Sequence, residues 1–340
     1  MKRALVTGAS GFIGAHVVAA LLREDVEVRA LVLPGDPAPN LAGLPIERVH
    51  GDVTDAAALA RAMVGVDTVF HLAAIYALWL RDPARMRAVN VEGTRAVLEA
   101  AARASVARVV HTSSIARFGG QGLGVRATEH SAFALGDTGD AYAQSKADAH
   151  AVAEAAAARG QDVVLVAPTG PIGPGDVGPT PTGRLLLLCA KLPVVAVPRS
   201  ISNFADVRTI AQGHVLAARH GRAGRSYLLG DCDLSFAQIA ELALAAVGRS
   251  APVYEVPTRW VGLAARAMTA WADRVSHRAP PVTPAAVAMA ARGLAADCSR
   301  ARDELGLRPL PIERAVADAL EDFRRRGLLR RSVQVPARGR

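Results

Sequence analysis

The sequence predicts an α/β fold in which a doubly wound parallel sheet is accompanied by a smaller, mostly helical C-terminal lobe. Three observations lead to this prediction: apolar segments alternate with helical segments, the apolar segments are continuous, and a glycine-rich turn follows the first of them. Strands covered on both faces are continuously apolar, and strands that alternate with helices form parallel sheets. The predicted strands are 3–7, 26–33, 46–50, 68–72, 107–112 and 163–167, and the predicted helices are 15–22, 56–64, 84–104 and 140–159.

A glycine-rich turn joins the first predicted strand to the first helix. Gly8, Gly11 and Gly14 follow Thr7 at a regular spacing. Backbone N–H groups and the helix dipole at such a turn form a site for a pyrophosphate. Gly8 would permit the turn, Gly11 would let the phosphates approach, and Gly14 would let helix and strand pack closely. This context favours a dinucleotide-binding, Rossmann-type domain over an ordinary loop.

Small and polar residues follow the third and fourth predicted strands. Asp52 would accept a hydrogen bond from an adenine amino group, and Val53 would pack against the ring. Ala73 and Ala74 would leave room for the cofactor. Ligands of doubly wound sheets bind at the carboxyl ends of the strands, so the joint position of these residues favours a binding site over a set of ordinary turns.

A tyrosine and a lysine share the last of these predicted helices. Tyr142 and Lys146 are four residues apart, so they lie on one helix face. An ammonium near a phenol lowers the pKa of the phenol and lets it act as a general acid or base near working pH. A surface pair is the alternative explanation of this spacing, and the glycine motif makes it the less favoured one.

Together these motifs resemble those of the extended short-chain dehydrogenase/reductases, within the NAD-dependent epimerase/dehydratase family. The run 173–183 is similar to the branch that contains dihydroflavonol-reductase-like and hopanoid-associated sugar epimerase-like proteins. The resemblance covers about residues 1–328 and rests on Thr7-Gly-x-x-Gly-x-x-Gly14, Asp52-Val53, His71-Leu-Ala-Ala74, Asn90-Val-x-Gly-Thr94, Ser113-Ser114, Tyr142-x-x-x-Lys146 and Pro168 to Asp176.

The resemblance implies roles for individual residues. Ser114, Tyr142 and Lys146 would be catalytic, and Lys146 would also hydrogen-bond the nicotinamide ribose. Ser114 is chosen over Ser113 and Thr112 because the segment that follows it ends in Gly119, as in the family. The implied cofactor contacts are Gly8, Ser10, Gly11, Phe12, Ile13, Gly14, Val32, Leu33, Asp52, Val53, Leu72, Ala73, Ala74, Asn90, Thr112, Tyr142, Lys146, Pro168, Gly170 and Ile172.

The end of the second strand bears on which cofactor binds. NAD-selective sites place a carboxylate there, and here the position is Val32, with the next carboxylate at Asp36. Related reductases often carry an arginine one position later, where this chain has Leu33, and Arg29 lies nearby. The missing carboxylate favours NADP(H), with NAD(H) as the alternative.

Two separated segments are expected to form the C-terminal lobe. The predicted division is an NAD(P)-binding domain at 1–167 with a returning segment near 202–230, a substrate-binding lobe at 168–201 and 231–328, and a basic, disordered tail at 329–340. The Pro- and Gly-rich run 168–198 is predicted to be loop, and 202–207 to be a strand that returns to the sheet. Further helices are predicted at 235–247, 258–275 and 312–326, and a strand at 226–229.

Three functions agree with these motifs. The favoured one is an NAD(P)H-dependent ketoreductase or alcohol dehydrogenase acting on a bulky, mostly apolar carbonyl or hydroxyl compound such as a natural product. Tyr76, Trp79 and Phe118, near predicted strand ends, offer aromatic surface for it. The alternatives are a nucleotide-sugar epimerase or dehydratase with bound NAD, and a non-catalytic NADP(H)-binding sensor. The sequence at Val32 argues against the former, and the intact Ser-Tyr-Lys set against the latter.

Composition restricts partners and location. The net charge of +9 gathers partly in a terminal arginine cluster, which is more typical of a frayed terminus than of a nucleic-acid site. The three cysteines are far apart, and neither a signal peptide nor an apolar run of spanning length is evident, so a cytoplasmic location is expected. The nine histidines lack ligand spacing, so no metal is expected. A small-molecule substrate is expected, nucleic acid is not, and a homodimer stays open.

Overall fold

A seven-stranded parallel sheet forms the centre of the molecule in the computed structural model, which describes residues 1–77, 79–80, 82–280 and 282–329. The strands are β1 (Arg3–Thr7), β2 (Glu27–Val32), β3 (Glu47–His50), β4 (Thr68–His71), β5 (Arg108–Thr112), β6 (Val163–Pro168) and β10 (Ser226–Leu229). Their order is β10-β6-β5-β4-β1-β2-β3. The strand order reverses between β1 and β4, which is where doubly wound sheets bind ligands. The predicted fold class is confirmed.

Helices cover both faces of this sheet. One core packs α1 (Phe12–Leu22) and α7 (Val207–His220) against the sheet, and the other packs α2 (Ala56–Ala62), α4 (Gly93–Arg103) and α5 (Ala141–Ala158). Neighbouring strand residues enter opposite cores: Val6 belongs to the first and Leu5 to the second. Both sides of the inner strands are therefore buried, which explains why these strands are mostly apolar. The edge strand β3 is largely exposed.

The helix predicted over 84–104 is interrupted by a π-helical turn. It consists of α3 (Pro83–Arg87), the π turn Ala88–Glu92 and then α4. Gly93 starts α4 where a Cβ would lie 2.8 Å from Cγ2 of Val53. The π turn therefore occurs where the helix passes close to the end of β3.

A second hydrophobic core forms the C-terminal lobe. It contains the sheet β11-β9-β7 and the pair β8–β12, with three helices packed around them. Leu186, Ile239 and Phe323 are among its buried residues. The elements are β7 (Gly170–Ile172), α6 (Pro181–Lys191), β8 (Val195–Pro198), β9 (Ile201–Asp206), β11 (Cys232–Ser235), α8 (Phe236–Ala246), β12 (Val253–Val256) and α12 (Ile312–Arg325).

Three more helices complete the described chain. They are α9 (Thr258–Trp271), which continues into a π turn (Ala272–Ser276), α10 (Pro284–Arg292) and α11 (Ser299–Leu305). Helices α9 and α10 pack on each other, and α11 packs on α7. No helix in the described ranges is long and apolar enough to cross a bilayer.

The prediction that 168–198 is loop is wrong. This segment contains β7, α6 and β8. Pro181 occupies the first turn of α6, where proline is tolerated, and the Thr180 hydroxyl accepts a hydrogen bond from the Gly183 backbone N at 3.2 Å. The buried residues Leu186 and Leu187 then hold the helix against the lobe core. Prolines at element boundaries made a structured segment resemble a loop.

The strand predicted at 202–207 exists, but it does not return to the main sheet. It is β9, which pairs with β7 in parallel and with β11 in antiparallel orientation. The element that does add to the main sheet is β10, beside β6. Helix α7, between β9 and β10, is not among the predicted helices. Of the predicted tail, Leu329 is buried in the lobe core, and the remainder lies outside the described residues.

Candidate active site

The glycine-rich turn has no room for side chains at Gly8 and Gly14. Gly8 has φ +68°, in the left-handed region, and a Cβ there would lie 2.7 Å from the backbone N of Ala73. A Cβ on Gly14 would lie 2.1 Å from the carbonyl oxygen of Gly8. Glycine is required here by the turn itself and by the close packing of α1 on β1.

The N-terminus of α1 lies inside this turn. The helix begins at Phe12, earlier than the predicted start at Ala15, and none of the described side chains caps it. Its free N–H groups and dipole suit a pyrophosphate. A Cβ on Gly11 would meet the Gly8 carbonyl oxygen at 3.2 Å, so packing requires glycine less strictly there than at Gly14. The turn therefore fits a dinucleotide.

The segment after β4 lies against the glycine turn. Thr7 Oγ1 is 2.8 Å from His71 Nδ1 and accepts a hydrogen bond from the Ala73 backbone N at 3.2 Å. Leu72 and Ala73 are half-buried, and Ala74 is exposed. The predicted contact residues on this segment are therefore near the predicted phosphate site.

Asn90 fixes the same segment from the π turn. Its Oδ1 accepts from the Ile75 backbone N at 2.7 Å, and its Nδ2 donates to the Ile75 carbonyl at 3.1 Å and to Ser145 Oγ at 2.9 Å. Asn90 is buried, and π turns occur often at functional sites. Its amide is used within the protein, so the geometry indicates a positioning role.

The three predicted catalytic residues are brought together by β5 and α5. The side chains of Ser114 and Tyr142 are close enough for the Ser114 hydroxyl to lower the pKa of the phenol. The Lys146 Nζ is buried and donates to the Thr112 carbonyl at 2.6 Å. Helix α5 is anchored at its start by Asp140, whose Oδ1 accepts from the Ala143 backbone N at 2.9 Å. Their catalytic roles stay a prediction, and the geometry agrees with it.

The neighbouring hydroxyl groups are engaged elsewhere. Ser113 Oγ is 2.8 Å from His150 Nδ1, and Thr112 Oγ1 is 3.0 Å from His214 Nε2. Of these three hydroxyl groups, only that of Ser114 interacts with Tyr142. This geometry favours Ser114 over Ser113 and Thr112.

The pKa of Tyr142 differs from the expected direction. Burial raises it to about 12, opposed by the hydrogen bond with Ser114 and reinforced by the negative charge of Asp140. Burial also lowers the pKa of Lys146 to about 8. The expected lowering of this pKa is wrong for this structure, because burial raises it. The phenol holds its proton at neutral pH.

The end of β2 carries neither a carboxylate nor a guanidinium. Val32 is buried and Leu33 is half-exposed. Arg29 donates to the carbonyls of Ala62 and Val64 at 2.8 and 2.7 Å, so it points away from this strand end.

Asp36 lies closer to the glycine turn than its place in the sequence indicates. Its Oδ2 accepts from Ser10 Oγ at 2.6 Å, and its Oδ1 accepts from the Ala38 backbone N at 2.8 Å. It is therefore the carboxylate to consider in any test of ribose recognition.

The other predicted cofactor contacts differ in how deeply they are buried. Asp52 is half-buried, and its Oδ1 accepts from the backbone N and hydroxyl of Thr54, both at 2.9 Å. Val53 and Ile172 are buried in hydrophobic cores, so their packing alone explains their apolar character. Ile13 packs against the core beneath α1, and Pro168 ends β6. Gly170 is required by packing, since a Cβ would lie 2.6 Å from the Phe204 ring.

Comparison with known proteins agrees with this geometry. Residues 4–230 match the family model described as the NAD dependent epimerase/dehydratase family. The chain belongs to this family. The family match and the similarity to reductases and dehydrogenases make it an NAD(P)-dependent oxidoreductase of the extended short-chain type.

Curated members of the family are similar along nearly the whole chain. A putative dihydroflavonol 4-reductase from Synechocystis sp. is 38% identical over 333 residues, covering 96% of this chain and 95% of the relative. Sterol demethylase protein B from Methylococcus capsulatus is 33% identical, covering 96% and 99%.

Solved structures of the family share the architecture. The crystal structure of gox2253 has a TM-score of 0.84 and 33% identity, and the match covers 97% of this chain and 100% of the gox2253 chain. DesIV, a dTDP-glucose 4,6-dehydratase from Streptomyces venezuelae with NAD and TYD bound, has a TM-score of 0.75 and 26% identity, covering 96% and 98%.

In this family member an aromatic residue from the β4 segment faces the tyrosine of the site. The rings of Tyr76 and Tyr142 are 4.6 Å apart at 48°, and Tyr76 is 46% exposed. Phe118 is fully buried beside His150, so it does not line the site. The Trp79 indole N–H donates to Asp273 Oδ1 at 3.0 Å, which ties the segment to the turn after α9.

Sequence reasoning missed the contribution of α10 and the residues after it. Met289 and Leu294 pack with Tyr142 and Phe133 on the buried cluster of Leu135 and Ala143. A helical apolar pattern gives no signal for the distant element that it will cover. Tyr142 therefore packs on the same small apolar cluster as two residues from α10 and the segment after it.

Proposed function

We propose that the protein is an NADPH-dependent reductase of bulky, mostly apolar carbonyl compounds. The observation that carries this proposal is the position of the Tyr142 phenol, which interacts with Ser114 and packs on an apolar cluster. A carbonyl reduction requires a proton donor at the oxygen, and a tyrosine that keeps its proton at neutral pH supplies one.

The chain's own residues would handle the proton and the carbonyl oxygen. The bound cofactor would supply the hydride. Ser114 would hydrogen-bond the substrate oxygen, and Tyr142 would deliver its proton to the same oxygen as negative charge develops there. Lys146, buried and held by the Thr112 carbonyl, would stabilise the phenolate that remains.

An apolar substrate is supported by the surroundings of Tyr142. The Tyr76 ring, Met289, Leu294 and Phe133 offer mostly apolar surface near the phenol. The names of similar proteins point the same way, since they include a sterol demethylase protein, a 3-beta-hydroxysteroid dehydrogenase and a farnesyl-dihydroquinoline-oxide ketoreductase.

NADP(H) is favoured because the end of β2 offers no carboxylate to the adenosine ribose. Val32 is buried, and both oxygens of Asp36 accept hydrogen bonds within the protein. A carboxylate that binds both ribose hydroxyls is what selects NAD over NADP. NAD(H) binding is the alternative if Asp36 exchanges its Ser10 bond for the ribose.

A nucleotide-sugar epimerase or dehydratase is the second candidate, favoured by the similarity to DesIV. The two candidate functions differ in the cofactor that copurifies with the protein and in the substrate that the protein converts. We expect the purified protein to oxidise added NADPH when given a steroid ketone or a dihydroflavonol, and to leave nucleotide sugars unchanged. Tightly bound, stoichiometric NAD together with conversion of a nucleotide sugar would overturn the proposal.

A further inference from the structure

Helix α9 presents an apolar face to solvent. Trp260, Leu263 and Trp271 are 57%, 56% and 61% exposed, and Val275 in the following π turn is 53% exposed. Residues at this spacing lie on one side of a helix. The exposed small residues Ala264 and Ala267 lie between them, and the opposite side is buried at Ala265. We call the set Trp260, Leu263, Ala264, Ala267, Trp271 and Val275 the α9 apolar face.

Arginines flank this face. Arg259 and Arg266 are exposed on one side of α9, and Arg274 and Arg278 are exposed beyond its end. Arg259 lies 5.7 Å from the Trp260 ring centroid. Within the described ranges none of these four arginines forms an ion pair, so their charges are available to an anionic partner.

The α9 apolar face is connected to the mouth of the candidate site. The turn after α9 binds Trp79 through Asp273, and Trp79 belongs to the segment that places Tyr76 beside Tyr142. Helix α10 packs on α9, and its Met289 packs on the cluster that includes Tyr142. The α9–α10 pair therefore lies between the phenol and the exposed apolar face.

We propose that the α9 apolar face docks on the surface of an anionic lipid bilayer, from which an apolar substrate reaches Tyr142. Tryptophans, leucine and flanking arginines on one helix are the composition of helices that lie in the membrane interface. This inference rests on the proposed function for its substrate, but the docking itself is independent of turnover.

A second copy of the chain fits this face less well than a bilayer. An antiparallel two-fold contact would place the same face of both helices together and bring Arg259 and Arg266 of one copy to the same side as those of the other. Like charges oppose that arrangement, whereas anionic headgroups attract the arginines. Charge thus favours a lipid surface over a dimer interface.

The test is co-sedimentation of the full chain with vesicles. Vesicles of phosphatidylglycerol and phosphatidylcholine in equal parts are compared with vesicles of phosphatidylcholine alone, at fixed ionic strength. We expect binding to the anionic vesicles, and a loss of at least roughly tenfold in the Trp260→Ser/Trp271→Ser variant, as removal of interfacial anchors requires. Arg266→Glu/Arg274→Glu should lose the preference for anionic vesicles.

Matched controls separate this surface from general apolarity and charge. Arg61 is exposed on α2, and Val64, just after α2, is 67% exposed. Both lie away from α9, so Val64→Ser and Arg61→Glu should bind vesicles like the wild type. The proposal is overturned if the wild type binds neither vesicle, or if the double tryptophan variant binds as well as the wild type. A change from dimer to monomer in that variant, measured by sedimentation equilibrium, would assign the face to a second copy instead.

Carbonyl reductase activity is measured separately, without vesicles, with the steroid ketone and the dihydroflavonol named above. Vesicle binding without any reductase activity would reject the proposed function alone. Reductase activity without vesicle binding would reject the docking alone.

Discussion

At the scale of single residues, burial and the nearby Ser114 hydroxyl have opposite effects on the pKa of the Tyr142 phenol. Burial raises its pKa to about 12, while the ammonium of Lys146 is occupied by the Thr112 carbonyl. A protonated phenol is the form that general acid catalysis of a carbonyl reduction requires.

Tyr142→Phe is expected to lower turnover by roughly 10²–10⁴-fold, the usual contribution of general acid catalysis. Cofactor affinity should remain nearly intact, because the phenol hydroxyl has no predicted phosphate contact. Steady-state rates and cofactor titration measure the two effects. Tyr76→Phe is the matched control, since it keeps the ring beside Tyr142 and should retain activity. A Tyr142→Phe variant with more than half of the wild-type rate would contradict the assignment.

Cofactor preference is also set by single residues at the end of β2. Val32→Asp should shift preference toward NADH, because the new carboxylate would accept from the ribose hydroxyls and repel a 2′-phosphate. A charged hydrogen bond contributes about 1.5–3 kcal/mol, or roughly ten- to a hundredfold in the ratio of affinities. Leu33→Arg should shift preference toward NADPH.

The preference is measured as the dissociation constants of NADH and NADPH for the wild type, Val32→Asp and Leu33→Arg. Asp36→Asn is the informative control, because it keeps the geometry around Ser10 but removes the charge. If the wild type prefers NADH by about tenfold or more and Asp36→Asn abolishes that preference, Asp36 is the ribose carboxylate and the NADP(H) proposal is wrong.

At the scale of elements, two glycines of the glycine turn are needed for different reasons: Gly14 for folding and Gly11 for binding the ligand. A Cβ on Gly14 would lie 2.1 Å from the Gly8 carbonyl oxygen, whereas one on Gly11 would lie 3.2 Å from it. Gly14→Ala should lower the free energy of unfolding by about 1–3 kcal/mol through overpacking of α1 on β1.

Gly11→Val should instead leave a folded protein that does not bind the dinucleotide, because its side chain would occupy the approach to the pyrophosphate. Denaturant unfolding and cofactor titration of both variants distinguish the two effects. Normal cofactor affinity in a folded Gly11→Val variant would mean that the dinucleotide binds elsewhere.

Elements of the main sheet could be predicted from the sequence because their signal is local. A strand buried on both faces is mostly apolar, and β1, β2, β4, β5 and β6 are buried along nearly their whole length. The partner of β9 could not be predicted, since nothing local distinguishes a strand that joins the main sheet from one that pairs with β7. Burial of Tyr142 was likewise invisible, because Met289 and Leu294 come from a distant part of the chain.

At the scale of the whole molecule, the carboxyl edge of the sheet is backed by buried histidines. His71 bonds Thr7 and Thr94, and His214 bonds Thr112. His111 lies between strands β4 and β6 with its ring 5.5 Å from that of His71, and neither of its ring nitrogens has a hydrogen-bond partner in the described structure. These rings fill the layer beneath the candidate site.

Burial of these histidines predicts that the protein loses stability in acid. It lowers the pKa of His71 to about 3 and of His214 to about 4, and that of His111 well below its usual value, with the charge of Lys146 acting in the same direction. In the unfolded chain each group binds a proton below about pH 6.5. The unfolded state therefore binds more protons between about pH 6.5 and 4, and stability falls as the pH falls through that window.

Each histidine contributes up to about 1.4 kcal/mol per pH unit to this loss. Denaturant unfolding at a series of pH values should thus show a steep decline below about pH 6. His111→Leu should reduce the slope of the free energy of unfolding against pH by the equivalent of up to about one proton. At neutral pH this variant should lose little stability, because no hydrogen bond is lost. His277 is exposed, so His277→Gln should leave the slope unchanged. If His111→Leu and the wild type lose stability in parallel, His111 titrates alike in both states and its burial is not the origin of the acid sensitivity.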